Sequence, residues 1–204
     1  MPRPSNKAVR RSQIARGLMR VMAARGYDGA SMPEIAKAAG LTQGLIHYHF
    51  KNKQEILIAA LDELVALHNK GLDSHMASLE GRPHEQLAAF IDFHLGLGTD
   101  ASPEALACWL VISGESLRKT NIREAFEAAL SVWVTRLIGI IEDGNRDSLF
   151  DCSAVEEAAA ALMSTIQGYF LLAATARSQI PLGSAARSAK LMAEGLLKPK
   201  KSFL

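Results

Sequence analysis

The chain lacks the residues and motifs on which several classes of protein depend. Its 204 residues include only two cysteines, Cys108 and Cys152, and their separation does not fit a metal site. Neither a glycine-rich phosphate loop nor a G-x-S-x-G nucleophile motif occurs. No run of about eighteen apolar residues predicts a membrane span, and no apolar signal core follows the basic N-terminus. We therefore expect a cytoplasmic protein with reduced cysteines and no contact with a membrane.

Candidate catalytic and metal-binding groups are equally sparse. His47 and His49 are two positions apart and would diverge on a helix, whereas His68 and His75 are about two turns apart, too far for one metal ion. We predict no catalytic residues, no metal and no cofactor. A helical enzyme remains the alternative from another functional class.

Apolar residues recur at helical rather than alternating spacing, which predicts an all-α fold. We expect about nine helices, near residues 5–26, 32–39, 43–49, 53–79, 84–98, 103–118, 122–146, 154–178 and 184–197. The C-terminal segment KPKKSFL, residues 198–204, is expected to be frayed, because it lies at a chain end.

The segment SMPEIAKAAGLTQGLIHYHFKNK, residues 31–53, indicates two short helices joined by a tight turn. Ser31 and Glu34 have the spacing of a capping box, and Gly40 suits a left-handed cap at the end of the first helix. Thr42 suits the N-cap of the second helix. A helix, a turn and a helix form the minimal unit that reads a DNA groove, although any helical hairpin of an all-α protein shows the same local signals.

The distribution of charge favours the DNA-binding interpretation. Residues 1–53 contain ten Lys or Arg and two acidic residues, a net charge of +8, whereas the remainder has a net charge of −6. A basic segment attracts a polyanion, and phosphate contacts supply affinity that does not depend on base sequence. Double-stranded DNA is therefore the expected partner of this segment.

Residues 10–57 resemble the N-terminal domain of TetR-type one-component transcriptional regulators. The resemblance depends on RGYDGAS at the end of the first helix and on MPEIAKAAGLTQGLIHYHFKNKQEIL after it. Residues 102–126 also resemble the betaine-inhibitor-type subgroup, without assigning a ligand. The family implies a helix-turn-helix domain at 1–52 and a helical ligand-binding and dimerisation domain at 53–204. It also implies a repressor that binds a palindromic operator as a homodimer and is released by an unknown small-molecule effector.

Nine residues correspond by position to DNA contacts of that family. Those expected to face bases are Gln43, Gly44, Leu45 and Tyr48; those expected to contact phosphates are Ser31, Thr42, His47 and Lys53; His49 fits either role. Glutamine can bond an adenine edge, and leucine can contact a thymine methyl group. His47 stands where the family usually has tyrosine. The alternative is an architectural protein that binds DNA without sequence preference.

The larger part of the chain offers a dimer face and a ligand pocket. The helices at 154–178 and 184–197 are apolar on more than one face and are the expected homodimer interface. Polar and aromatic residues within apolar helices are the candidate pocket lining: His68, Phe90, Phe93, His94, Trp109, Ser113, Glu115, Trp133 and Gln167. Trp109, Trp133, Tyr169 and Glu115 together would suit a cationic ligand, whereas packing in an ordinary core explains each residue nearly as well.

Overall fold

A computed structural model describes residues 6–96 and 103–204, and in these ranges the chain is all-helical. The helices are α1 (Asn6–Arg25), α2 (Met32–Ala39), α3 (Gln43–His49), α4 (Lys53–Met76), α5 (Pro83–Leu95), α6 (Pro103–Ser116), α7 (Thr120–Arg146), α8 (Val155–Thr175) and α9 (Ser184–Leu197). A 3-10 turn, Arg177–Gln179, precedes α9. The predicted all-α class is confirmed. The predicted helix start at residue 5 and helix end at residue 98 lie outside the described residues.

The described chain divides into two units. Residues 6–68 and 103–129 form the first unit, which contains α1 to α3, α6 and parts of α4 and α7. Residues 69–96 and 130–204 form the second unit, which contains α5, α8, α9 and the remaining parts of α4 and α7. This division groups residues that pack together. The functional boundary after residue 52 therefore stays a prediction.

The core of the first unit is built where α1 crosses α2. Ile14 and Leu18 of α1 are fully buried, as are Ile35 of α2 and Ile46 of α3. Gly17 allows the close approach, because a Cβ at this position would lie 2.9 Å from the Cβ of Ala39. The three short helices are therefore fixed to one another by packing as well as by their caps.

The core of the second unit joins α5 to α8 and α9. Leu87, Phe90 and Ile91 of α5 are fully buried, and the small residues Ala159 of α8 and Ala189 of α9 allow close helix contact. A Lys190–Asp92 ion pair of 2.6 Å adds a link between α9 and α5.

The prediction of a frayed C-terminus is wrong. The Phe203 ring is buried and stacks on His84 with ring centroids 4.5 Å apart. The Glu194 carboxylate accepts hydrogen bonds from the Ser202 hydroxyl at 2.5 Å and the Phe203 amide at 2.8 Å, and these bonds lower the pKa of Glu194. His84 Nε2 also lies 2.9 Å from the Lys201 carbonyl oxygen. An aromatic anchor and backbone hydrogen bonds thus hold the tail despite its basic composition.

Candidate DNA-binding and effector sites

Side-chain caps define both helices of the helix-turn-helix. The Ser31 hydroxyl accepts a hydrogen bond from the Glu34 amide at 3.4 Å, and the Glu34 carboxylate accepts one from the Ser31 amide at 3.1 Å. Gly40 has φ 66°, the left-handed conformation that ends α2. Thr42 caps α3 by accepting from the Leu45 amide at 3.4 Å. Ser31 and Thr42, two predicted phosphate contacts, thus serve as caps and remain exposed at the surface.

Side chains of α1 hold the C-terminal ends of α2 and α3. Gln13 donates from Nε2 to the Ala39 carbonyl at 2.7 Å, and Arg11 donates from Nη1 to the His49 carbonyl at 2.7 Å. The Arg11 guanidinium also lies 4.0 Å from the centroid of the Phe50 ring. Carbonyls at the C-terminal end of a helix lack intrahelical partners, and these two donors supply hydrogen bonds to them. The positive charge of Arg11 also interacts favourably with the negative end of the helix dipole. The orientation of α3 is consequently fixed from the side opposite its exposed face.

The exposed face of α3 is polar. Ile46 is fully buried, whereas Tyr48 is 79% exposed. The other predicted contacts on this face are Gln43, Gly44 and His47, which are exposed, and Leu45, which is half-buried. Gln43 Nε2 and His47 Nε2 lie 3.4 Å apart across one turn. This face of α3 therefore presents an amide, an imidazole and a phenol group to solvent.

His49 is half-buried and lies near three basic residues of α1. Its Nδ1 is buried and has no hydrogen-bond partner in the described part of the chain. Burial lowers the pKa of His49, and the positive charges of Arg11, Lys7 and Arg10 lower it further. The neutral imidazole is therefore favoured, and a contact from His49 to a base or a phosphate stays a prediction.

Lys53 contacts the turn between α1 and α2. Its ammonium donates to the Tyr27 carbonyl at 2.8 Å and lies 4.1 Å from the Tyr27 ring centroid. Lys119, which follows α6, lies 4.9 Å from the same centroid and is paired with Glu115. Lys53, Lys119 and Tyr27 line an open cleft of about 380 Å³. Sequence reasoning missed Tyr27 and Lys119, because nothing local indicates that residues 92 positions apart in the sequence meet.

The predicted pocket residues are divided between the two units. Those in the first unit are His68, Trp109, Ser113 and Glu115, and those in the second are Phe90, Phe93, His94, Trp133 and Gln167. Trp109 packs on Phe126 with centroids 4.7 Å apart, and the Glu115 carboxylate is paired with Lys119. Burial lowers the pKa of His68 to about 4, so that its imidazole is neutral near pH 7. The Glu115–Lys119 pair leaves this carboxylate less suited to a cationic ligand than the sequence suggested.

The second unit brings four of these residues together, with His94 in contact with the other three. His94 is only 3% exposed, and its ring centroid lies 4.2 Å from that of Phe90, 5.5 Å from that of Trp133 and 5.8 Å from that of Phe93. Its Nδ1 is 2.8 Å from the Phe90 carbonyl oxygen. We call His94, Phe90, Phe93 and Trp133 the aromatic cluster. The ring centroid of Phe170 on α8 lies 6.5 Å from that of His94, at the edge of the aromatic cluster. The sequence around Phe170 indicates only the apolar stripe of a helix.

A hydrogen bond fixes the tryptophan of the aromatic cluster. Trp133 Nε1 donates to Asn69 Oδ1 at 2.7 Å. A buried indole N–H requires such a partner, and the bond sets the direction in which the ring faces. Asn69 was not predicted, because a single amide in a mixed helix has no distinctive signal. Gln167 Nε2, on α8, is 3.6 Å from Met163 Sδ one helical turn earlier.

Both α8 and α9 expose large apolar side chains. The exposed large apolar residues on these helices are Leu171, Leu172, Leu191, Met192 and Leu196. Among the described helices, α8 has the length and apolar composition that could span a membrane, and about one third of its most apolar stretch is buried. A core helix of a soluble protein can have the same length and composition. The two helices thus leave apolar area uncovered within one chain.

Comparison with known proteins identifies both parts of the chain. Residues 14–60 match the model of bacterial regulatory proteins of the tetR family, and residues 83–198 match the C-terminal model of BetI-type transcriptional repressors. The transcriptional regulator BetI of Rhizobium meliloti is 30% identical over 125 residues, which is 60% of this chain and 60% of that protein. LmrA of Bacillus subtilis is 26% identical over 174 residues, which is 84% of this chain and 90% of that protein.

Solved structures show the same fold. A transcriptional regulator from Saccharomonospora viridis in complex with choline has a TM-score of 0.81 at 23% identity, covering 92% of this chain and 96% of that one. A TetR transcription regulator from Haloarcula marismortui has a TM-score of 0.82 at 20% identity, covering 93% and 98%. With the two family models spanning the helix-turn-helix and most of the remaining helices, the chain belongs to the TetR family of transcriptional regulators and has a BetI-type C-terminal domain.

Proposed function

We propose that the chain is a cytoplasmic, dimeric repressor that places α3 in the major groove of a palindromic operator and releases it when a small molecule binds. The observation that carries the proposal is the exposed polar face of α3, on a helix whose caps and buried Ile46 fix its orientation. Glutamine can bond an adenine edge and leucine can contact a thymine methyl group, and α3 carries Gln43 and Leu45 on this face. Ser31, Thr42, His47 and Lys53 would contact phosphates beside it.

The test of DNA recognition is selection of a duplex from a random-sequence library by the full-length protein. We expect a palindromic site, and Gln43→Ala or Tyr48→Ala should reduce discrimination among related duplexes by about 1–3 kcal/mol for each altered base contact. Lys53→Ala should instead weaken binding to all duplexes alike and flatten the salt dependence. Selection of no preferred sequence would favour the architectural alternative.

The dimer is proposed to form through α8 and α9. Their exposed leucines and Met192 would be buried against a second copy, and the small residues of α8 allow another helix to approach. Leu171→Glu and Leu191→Glu should convert a dimer to a monomer in sedimentation equilibrium. Leu117→Glu is the matched control, because Leu117 is 85% exposed and lies in the first unit, outside these helices. A monomer at micromolar concentration of the unaltered chain would contradict the interface.

The effector is proposed to be a small cation that binds at the aromatic cluster. Aromatic faces attract quaternary ammonium groups, and the neighbour from Saccharomonospora viridis was crystallised with choline. Choline should raise the melting temperature of the protein, and dimethylbutanol, its neutral carbon isostere, should not. Trp133→Leu should remove the shift, whereas Trp109→Leu, which changes the other tryptophan, should retain it. Stabilisation by the neutral isostere alone would exclude a cationic effector.

A further inference from the structure

Two lysine ammonium groups from distant parts of the first unit lie against the same aromatic ring. Tyr27, in the turn between α1 and α2, is 7% exposed. Lys53 Nζ at the start of α4 lies 4.1 Å from the ring centroid, and Lys119 Nζ between α6 and α7 lies 4.9 Å from it. Both distances are within the range over which a ring quadrupole attracts a cation.

Lys53 is joined to the backbone of that turn as well as to the ring. The Tyr27 carbonyl accepts a hydrogen bond from Lys53 Nζ at 2.8 Å and another from the Ala30 amide at 3.1 Å. Ser31, the cap of α2, follows immediately. The position of the Lys53 ammonium therefore depends on the position of Tyr27. Tyr27 itself lies just before α2, the first helix of the helix-turn-helix.

Lys119 is held in place from the α6 side. Its ammonium is paired with the carboxylate of Glu115 one helical turn earlier, and the side chains of the pair are 28% and 18% exposed. The hydrogen bond to Glu115 raises the pKa of Lys119, so that the ammonium stays charged at neutral pH. Glu115 and Tyr27 thus share a cation that is half-buried, in contrast to the neighbouring Arg118, which is exposed.

We propose that Lys119 is a positioning residue for operator binding, which acts through the Tyr27 ring to hold the Lys53 ammonium where it meets a DNA phosphate. This inference rests on the proposed function, because it takes Lys53 to be a phosphate contact. It connects the end of α6 with the DNA contact by three side chains. Displacement of Lys119 from Tyr27 leaves the Tyr27 turn and Lys53 without their support from α6.

The test compares four variants of the full-length protein: Lys53→Met, Lys119→Met, the double variant and Arg118→Met. Affinity for the duplex selected by the unaltered protein is measured across a series of salt concentrations. Removing a cation from one phosphate of B-DNA reduces the magnitude of the slope of log K against log salt by about 0.9. A homodimer presents each lysine twice, so each substitution removes two such contacts. The double variant decides between an indirect and a direct role, because effects that act through one residue do not add.

We expect Lys53→Met and Lys119→Met each to reduce the magnitude of the slope by about 1.8, because each substitution removes two phosphate contacts from the homodimer. Each should weaken binding by about 100-fold, about tenfold for each charge-assisted hydrogen bond that is lost. The double variant should bind no more weakly than Lys53→Met, and its slope should fall no further. Arg118→Met removes the same charge and should change neither quantity. Lys119→Arg retains the cation beside the ring and should restore affinity.

Additive effects in the double variant, with a doubled fall in slope, would show that Lys119 contacts DNA itself and would overturn the inference. Full affinity of Lys119→Met would overturn it as well. If Lys119→Met melts below the unaltered protein, Lys119→Gln at a temperature where both are folded gives the same comparison. Failure of the unaltered protein to select any duplex would refute the proposed function, a result distinct from additivity in a protein that binds normally.

Discussion

Two helical glycines of the first unit should respond in opposite directions to replacement by alanine. At Gly17 in α1, an added Cβ would lie 2.9 Å from the Cβ of Ala39, 3.0 Å from the Ile35 carbonyl oxygen and 3.1 Å from the Ala39 amide nitrogen. At Gly44 in α3, an added Cβ would meet nothing within 4 Å. The pair therefore separates helix propensity from helix packing.

The magnitudes decide the sign at each position. Replacing a helical glycine by alanine stabilises a helix by up to about 1 kcal/mol, chiefly because the unfolded chain loses freedom. Overpacking a close helix contact costs about 1–3 kcal/mol. The atoms facing Gly17 are a methyl group and helix backbone, neither of which can rotate away, so Gly17→Ala should lower the free energy of unfolding by about 1–2 kcal/mol. Gly44→Ala should raise it by a few tenths up to about 1 kcal/mol, since Gly44 lies in the first turn of α3.

Urea denaturation followed by circular dichroism measures both changes, and operator binding adds a second comparison. Gly44→Ala should bind the selected duplex more weakly although it is more stable, because its methyl group projects from the face proposed to meet the bases. Gly17→Ala should bind normally at temperatures where the protein is folded. A Gly17→Ala protein as stable as the original would refute the close packing of α1 on α2.

Three further outcomes follow from local contacts. Ser31→Ala should lower the free energy of unfolding by about 1 kcal/mol and Ser31→Asp should not, since aspartate also caps a helix; urea denaturation measures both. As the pH falls from about 7.5 to 5, His68 becomes protonated in the unfolded chain, where its pKa is 6.5, but stays neutral in the folded chain, where its pKa is about 4. The free energy of unfolding should therefore fall by about 2 kcal/mol over this range. The fall should be smaller in His68→Gln. Phe203→Ala should lower the free energy of unfolding by about 2–3 kcal/mol, less than the same substitution in a fully enclosed core, because the chain end can relax. Phe203→Leu should retain most of the stability in the same assay.

The helix-turn-helix could be predicted closely from the sequence because its determinants are local. Ser31 and Glu34 are three residues apart, and Gly40 acts on the helix that it ends. In the structure Ile46 is buried, and Gln43, Gly44 and Tyr48 beside it on α3 are exposed. Hydrogen bonds that span three or four residues can be read from a single sequence, and the helix bounds of α2 and α3 were predicted to the residue.

Contacts between distant residues could not be predicted in the same way. Glu115 was expected to serve a ligand, but it is paired with Lys119 beside Tyr27, a residue 88 positions earlier in the sequence. The tail is expected to fray because it lies at a chain end, although Phe203 packs against His84 of α5. A polar or aromatic residue has the same local pattern whether it meets a ligand, an ion or a core, so only the fold distinguishes these outcomes.

The charge of the basic segment has two separate consequences for DNA binding. Its net charge of +8 acts over the Debye length and should accelerate encounter with DNA, whichever residues touch phosphate. Affinity depends instead on the cations that reach phosphates, and several basic side chains are bonded within the chain: Arg11 to the His49 carbonyl, Arg20 to the Ala38 carbonyl and Arg25 to the Glu34 carboxylate. The exposed Arg25–Glu34 pair is worth little and can open toward a phosphate, whereas Arg11 supports α3 from within. The number of phosphate contacts per chain in the proposed complex should therefore be smaller than the ten basic residues suggest, and the salt dependence of association should exceed that of dissociation.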